Sequence, residues 1–158
     1  MKIFVMACAQ FALLFFVGCS SSLIKPPNMS DARSAVVSVA GAQVKAPYKY
    51  GGADHYGFDA SGLVYFSYKQ SNFEIPRDAE GQLRAAQAIP FYEVKPADLL
   101  FYRLTEKQSG TADGLHVGIY VGSGQMVHAP LGRDKVVLES IDTPYWLQRL
   151  VVAAKILP

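Results

Sequence analysis

The chain has 158 residues, 51% of them hydrophobic and 18% charged, with a formal net charge of +2. That length suits one domain, and that mixture buries a core instead of staying disordered. So small a net charge, with no basic run interleaved with aromatics, argues against recognition of nucleic acid.

The first residues are expected to lie outside the fold. Lys2 gives a short positive start, and Ile3 to Val17 is an almost continuous apolar run. The run is too short and too abruptly ended for an ordinary spanning helix. Phe16-Val17-Gly18-Cys19, followed by Ser20-Ser21-Ser22, resembles a lipobox, the cleavage site of lipoprotein signal peptides. The resemblance implies cleavage after Gly18 and lipid on the Cys19 sulfur. Ser20 in the next position, where Asp would signal inner-membrane retention, implies the periplasmic face of the outer membrane. Several acyl chains, palmitate among them, would make the anchor stable, because one chain binds only marginally. A simple cleaved signal and an uncleaved anchor are the alternatives. The chain has two cysteines. Cys8 would leave with the signal and Cys19 would become a thioether, so the mature domain has no free thiol and no disulfide. The expected division is a signal peptide over 1–18, a lipidated tether over 19–30 containing Pro26-Pro27, and one domain over 31–158.

Ser30 or Asp31 is expected to cap a helix through Ala32, Ala35, Val36, Val39 and Ala40, which recur at helical spacing. Pro47-Tyr48-Lys49-Tyr50-Gly51-Gly52 breaks it and forms a loop. Asp59 is expected to cap a buried helix from Ala60 to about Gln70, apolar on nearly all sides. A third helix is predicted from about Ala79 to Ala88. After Pro96 the period changes to two, and Asp98 to Leu104 reads as a strand. In the next strand Leu115, Val117, Ile119 and Val121 share one face, so His116 points to the other. Gly122-Ser123-Gly124 reads as a three-residue hairpin turn, returning through Gln125 to Ala129. Pairing symmetric about Ser123 would make His116 and His128 diagonal neighbours on one face, roughly 7–8 Å apart. A two-residue turn would separate them onto opposite faces. Val136 to Glu139 and Val151 to Leu157 complete a sheet of about five strands. Helices first and an antiparallel meander afterwards give an α+β class.

An ordered set of motifs runs through this frame: Tyr48-Lys49-Tyr50-Gly51-Gly52, Gly57-Phe58-Asp59-Ala60-Ser61-Gly62-Leu63, Ile75-Pro76-Arg77, Ala97-Asp98-Leu99, His116-Val117-Gly118-Ile119-Tyr120 and Val127-His128-Ala129. The set resembles the NlpC-type family of cell-wall cysteine peptidases, from about Ala32 to the C-terminus. The compact layout with Pro144-Tyr145-Trp146 near the end is most similar to outer-membrane murein endopeptidases. The resemblance implies a papain-like fold and cleavage of peptidoglycan stem peptides, first of all at the D-alanyl–diaminopimelate cross-link, by a Cys-His-His mechanism in a monomer without cofactor or metal. The runner-up cut lies between D-glutamate and diaminopimelate. By position His116 is the base and His128 its orienting group. Tyr48 would lie over the site and assist an oxyanion, while Asp59 and Ser61 flank the nucleophile and meet substrate. Arg77 reads more as a structural ion pair than as a substrate contact.

The family's nucleophile position is where this chain departs. A cysteine at a helix N-terminus owes its thiolate to the helix dipole and a neighbouring imidazolium, but here Asp59-Ala60-Ser61-Gly62 puts a methyl group in that place. Loss of such a nucleophile costs about a millionfold in turnover. Ser61 points about 100° away around the helix and is the family's ordinary residue there. Two accounts stay open: substitution in an otherwise active enzyme, or a natural lipoprotein that binds wall peptide without cutting it. A zinc peptidase is disfavoured, because no HExxH helix or cysteine cluster is present. His55, in a Gly- and Asp-rich loop, is expected to be exposed or at a pocket rim.

Overall fold

The computed structural model describes residues 28–109 and 114–158; the expected signal peptide and nearly all of the tether lie outside them. Helix α1 spans Met29–Ala42 and buries Ala32, Val36 and Ala40, one stripe at four-residue spacing. It starts earlier than the sequence suggests. The cap is Asn28, whose carbonyl accepts from Asp31 N at 2.8 Å and Ala32 N at 3.0 Å. Asp31 therefore falls in the first turn, where its charge favours the helix N-terminus. A two-stranded ribbon follows, β1 (Ala53–Asp54) with β2 (Gly57–Phe58).

Helix α2 covers Ala60–Gln70, as its apolar run predicts, and buries Leu63, Val64, Phe66 and Tyr68. Asp59 caps it in extended conformation, accepting from Gly62 N at 2.6 Å. Helix α3 (Ala79–Ala85) is shorter than expected. Pro90 disfavours the helical region for Ile89 before it, and the chain turns extended at Ala86 to form β3 (Gln87–Ile89) on the edge of the sheet.

The remaining elements are β4 (Leu99–Arg103), a short α4 (Glu106–Ser109), β5 (Leu115–Gly122), β6 (Gln125–His128), β7 (Val137–Ser140), α5 (Pro144–Leu147) and β8 (Leu150–Lys155). With β3 they form one antiparallel sheet of six strands, ordered β3-β8-β4-β5-β6-β7. The expected count of about five lacks β3, whose residues fall at the end of the third helix predicted from the sequence.

Alternation along β4 to β6 divides the core in two. Leu99, Phe101, Leu115, Val117, Ile119 and Val127 face α1 and α2. Leu100, Tyr102 and Met126 point the other way and pack with Ile141, Trp146 and Ala153. The fold is thus α+β and papain-like, with helices on one face of the sheet and α5 closing part of the other.

Candidate active site

At the N-terminus of α2, Tyr48, Asp59, Ala60 and Ser61 line one pocket of about 350 Å³ together with Arg77 and Leu115. The loop before α2 is tied down by the Asp59 carboxylate. One oxygen accepts from Gly62 N at 2.6 Å and Arg77 Nη1 at 3.0 Å; the other accepts from Gly51 N and Arg77 Nη2, both at 2.9 Å. Arg77 also donates to the Gly52 carbonyl at 3.0 Å and to Ser61 Oγ at 3.1 Å. The structural reading of Arg77 therefore holds. Asp59 is committed to capping and ion pairing, and Ser61 Oγ in turn donates to Asp59 at 3.3 Å. Tyr48 has its phenol pKa raised by burial, with the Asp59 charge acting in the same direction. It stays a neutral hydrogen-bond donor.

The second group is a buried pair. His116 Nε2 and His128 Nδ1 lie 2.9 Å apart, with His116 at 1% and His128 at 0% exposure. They share a face as diagonal neighbours, but the turn differs from the one expected. Gly122 pairs with Gln125, leaving a two-residue turn of Ser123 and Gly124 at φ 52° and 67°. A bulge between Tyr120 and Gly122 inserts one extra residue and restores the register Tyr120↔Met126 and Ile119↔Val127. The bulge therefore does what a third turn residue was expected to do.

That register puts Gly118 opposite His128, and a Cβ at Gly118 would lie 2.8 Å from Met126 Sδ and 3.3 Å from His128 Cβ. The missing side chain leaves room for the two rings to meet. Trp146 covers them, stacked on His116 (centroids 6.1 Å, 22°) and edge-on to His128 (5.1 Å, 89°).

Sequence reasoning missed Glu139. It lies opposite Met126 on β7 and so sits diagonally from His128. Its Oε2 is 3.0 Å from His128 Nε2, and Arg133 Nη2 lies 3.4 Å from Oε1. The hydrogen bond from His128 holds the Glu139 carboxyl below its ordinary pKa, against the effect of burial. Burial, and then His128, holds His116 well below the ordinary histidine value. Burial also lowers His128, outweighing the hydrogen bond and charge of Glu139. Both imidazoles are therefore neutral near pH 7.

A chain of tautomers follows. Ionised Glu139 only accepts, so His128 carries its proton on Nε2 and offers a lone pair at Nδ1. His116 then donates from Nε2, which leaves its Nδ1 unprotonated. Among the described residues that atom makes no hydrogen bond. A base with its lone pair at Nδ1, fixed by two neighbours, is what activating a thiol requires.

The structure thus brings Tyr48, Asp59, Ala60 and Ser61 together, and separately His116 with His128. The two groups adjoin where α2 packs against β5: Leu115 lines the pocket of Ala60 and directly precedes His116. No hydrogen bond joins them among the described residues. His55 is exposed and packs edge-on to Phe66 at 5.0 Å, away from both groups. Cys19 lies outside the described residues.

Residues 45–155 match the model of the NlpC/P60 family. The chain is 39% identical to the murein DD-endopeptidase MepH of Escherichia coli, over 73% of this chain and 42% of that one. It is 31% identical to the probable endopeptidase NlpC of the same organism, over 90% of this chain and 94% of the relative. The crystal structure of the peptidoglycan hydrolase RipB from Mycobacterium tuberculosis superposes with a TM-score of 0.70 at 28% identity, over 85% of this chain and 69% of that one. The chain spans only 33% and 42% of the two curated relatives it matches at 39% identity.

Proposed function

The chain belongs to the NlpC/P60 family, and from that premise we propose that it is a peptidoglycan endopeptidase scaffold of the thiol type that lacks its nucleophile. The observation that carries the reading is the buried His116–His128 pair, 2.9 Å apart, whose His116 directly follows Leu115, a lining residue of the pocket in which Ala60 stands. Peptidoglycan hydrolysis as the class is supported by the family and by the names of the relatives. The finer reading is cleavage of the D-alanyl–diaminopimelate cross-link, which the resemblance to MepH, a murein DD-endopeptidase, favours.

In this mechanism a cysteine at position 60 gives its proton to His116 Nδ1 and attacks the amide carbonyl. Tyr48 donates to the oxyanion, and His116 returns the proton to the departing amine; water, giving its proton to His116, then breaks the thioester, and the proton goes back to the sulfur. With Ala60 the chain binds the peptide and does not cut it. That single residue also favours a second reading, in which the protein is a wall-binding or regulatory lipoprotein using the same groove as a clamp. In either role we place it as a monomer on the periplasmic face of the outer membrane, held by lipid on Cys19; loss of palmitate labelling in Cys19→Ala tests the anchor.

The test of function is a digest of purified cross-linked muropeptides, resolved by chromatography and mass spectrometry, with the chain as it stands and with Ala60→Cys. Cutting by the cysteine variant alone supports the endopeptidase scaffold, and the products name the bond. A folded cysteine variant that cuts nothing sinks the enzyme reading and leaves the binder.

A further inference from the structure

Helix α1 takes over from the expected tether at Met29, and that point lies at one end of the domain. Arg33, in the second turn of α1, donates to the Pro96 carbonyl at 2.9 Å and to Asp98 at 2.7 Å. These bonds pack the start of α1 against the segment that leads into β4. Tyr92, Glu93, Lys95 and Lys155 join Arg33 and Asp98 around a hollow of about 420 Å³ at the same end.

The pocket of Ala60 lies at the other end. Tyr68, near the C-terminus of α2, donates to the Ala97 carbonyl, whereas Ala60 is the first residue of that helix. At 1.5 Å per residue the two are about 12 Å apart along the axis. Strand β4 gives the same direction: Leu99 pairs with Ile119, and Tyr102 pairs with His116 about 10 Å further along.

The tether end has the chemistry of a boundary between water and lipid. The 3-10 turn Phe91–Glu93 presents Phe91 and Tyr92 to solvent, and Met29 is exposed at the start of α1. Tyr92, at 86% exposure, is the most open large hydrophobic side chain among the described residues. A tyrosine ring has an apolar body and a polar tip, which suits it to the headgroup level. Lys95 and Lys155 stand beside it on apolar stems that let a charged head reach phosphate. Glu93 and the Arg33–Asp98 ion pair leave the face close to neutral, as a zwitterionic surface requires.

Reach makes so small a face sufficient. The chain from Cys19 to Met29 spans at most about 35 Å when fully extended. Lipid on Cys19 would hold the domain within about its own diameter of the bilayer, at an effective concentration of order millimolar. Contacts too weak to hold a free protein on lipid then set its orientation.

We propose that this end of the domain, with Phe91, Tyr92, Lys95 and Lys155 beside the start of α1, rests on a zwitterionic phospholipid surface and turns the pocket of Ala60 away from the membrane. The proposal rests on the lipid anchor placed at Cys19 above, and adds the face that meets the bilayer. The groove then opens towards the wall and not towards the lipid.

The test uses the full lipidated chain in vesicles of phosphatidylcholine brominated on its acyl chains. With Cys8 removed and Cys19 acylated, Glu93→Cys or Tyr50→Cys supplies the one thiol for a fluorescent label. Tyr50 lines the pocket of Ala60 at the far end. An interfacial face sits about 5–10 Å into the boundary, so quenching on the order of fivefold stronger is expected at position 93 than at position 50. In Phe91→Ser/Tyr92→Ser that ratio falls towards one while the chain still floats with the vesicles. Equal quenching at both positions, or a ratio unmoved in the double variant, overturns the docking face and leaves the anchor standing. Disulfide dimers formed through Glu93→Cys before labelling give the face to a second copy and overturn the proposal as well. Failure of the unlabelled chain to float overturns the anchor and the docking face with it.

Discussion

Glu139 and His128 face each other across β6 and β7 at 3.0 Å, and through that bond an acidic residue on the outer strand of the sheet governs the tautomer of His116, one strand further in. The expected consequence is read in Glu139→Leu. Imidazole nitrogen shifts should show His116 Nδ1 unprotonated in the parent and a mixture of tautomers in the variant. In the Ala60→Cys background the same change should lower kcat about 10- to 100-fold, the range seen when an outer hydrogen-bond partner of a functional histidine is lost. Unchanged shifts and an unchanged kcat would remove Glu139 from the relay.

Stability should fall on the acid side. His116 and His128 both titrate below their ordinary 6.5 in the folded chain, so the unfolded chain binds the extra protons. Their contribution is complete above pH 6.5 and is lost as pH falls towards the folded values. The slope approaches about 1.4 kcal/mol per pH unit for each histidine. Glu139, lowered from 4.5, acts in the same direction below that value. Thermal melts from pH 7.5 to 4.5 measure this, and His116→Phe should remove one proton's share of the slope. A flat profile would contradict neutral burial of the pair.

Gly118→Ala should cost about 1–2 kcal/mol, because the new methyl meets Met126 Sδ and His128 Cβ. Denaturant unfolding measures the loss. In Ala60→Cys the added methyl should also slow turnover by spreading the two rings. Gly41→Ala, where a Cβ meets nothing within 4 Å, is the matched control and should not destabilise the chain.

Arg77→Met should lower stability by about 2 kcal/mol. It removes the partner of Asp59, whose side chain is only 19% exposed, and two further hydrogen bonds, to Ser61 Oγ and the Gly52 carbonyl, go with the bidentate pair. Thermal melts give the magnitude, and amide exchange at Gly51 and Gly52 should speed up. If melting and exchange are both unchanged, the guanidinium is free for substrate instead.

Much of this was legible in the sequence because the relevant signals are local. The period of two through Leu115 to Val121 put His116 on the face opposite those apolar residues, and the apolar run after Asp59 gave α2 from Ala60 to about Gln70. What was missed depended on distant partners. Residues 87–89 become a strand only because β8 offers a free edge. The bulge at Val121 has no sequence mark beyond its glycine neighbour. Glu139 reaches His128 after a loop that includes a 3-10 turn and Asp134 in the left-handed region at φ 52°. The register across such a connection cannot be counted from spacing alone. Ala60 was plain at once, since the motif around it is contiguous.

Trp146 is the chain's one tryptophan, and it lies against both histidine rings. An imidazolium accepts an electron from an excited indole far more readily than a neutral imidazole does. The indole emission of this chain, excited selectively on the red edge where its nine tyrosines do not absorb, therefore has a single source, positioned to be quenched whenever either ring gains a proton. The protonation state of the base can be followed optically, in the unlabelled protein, while peptide enters the groove.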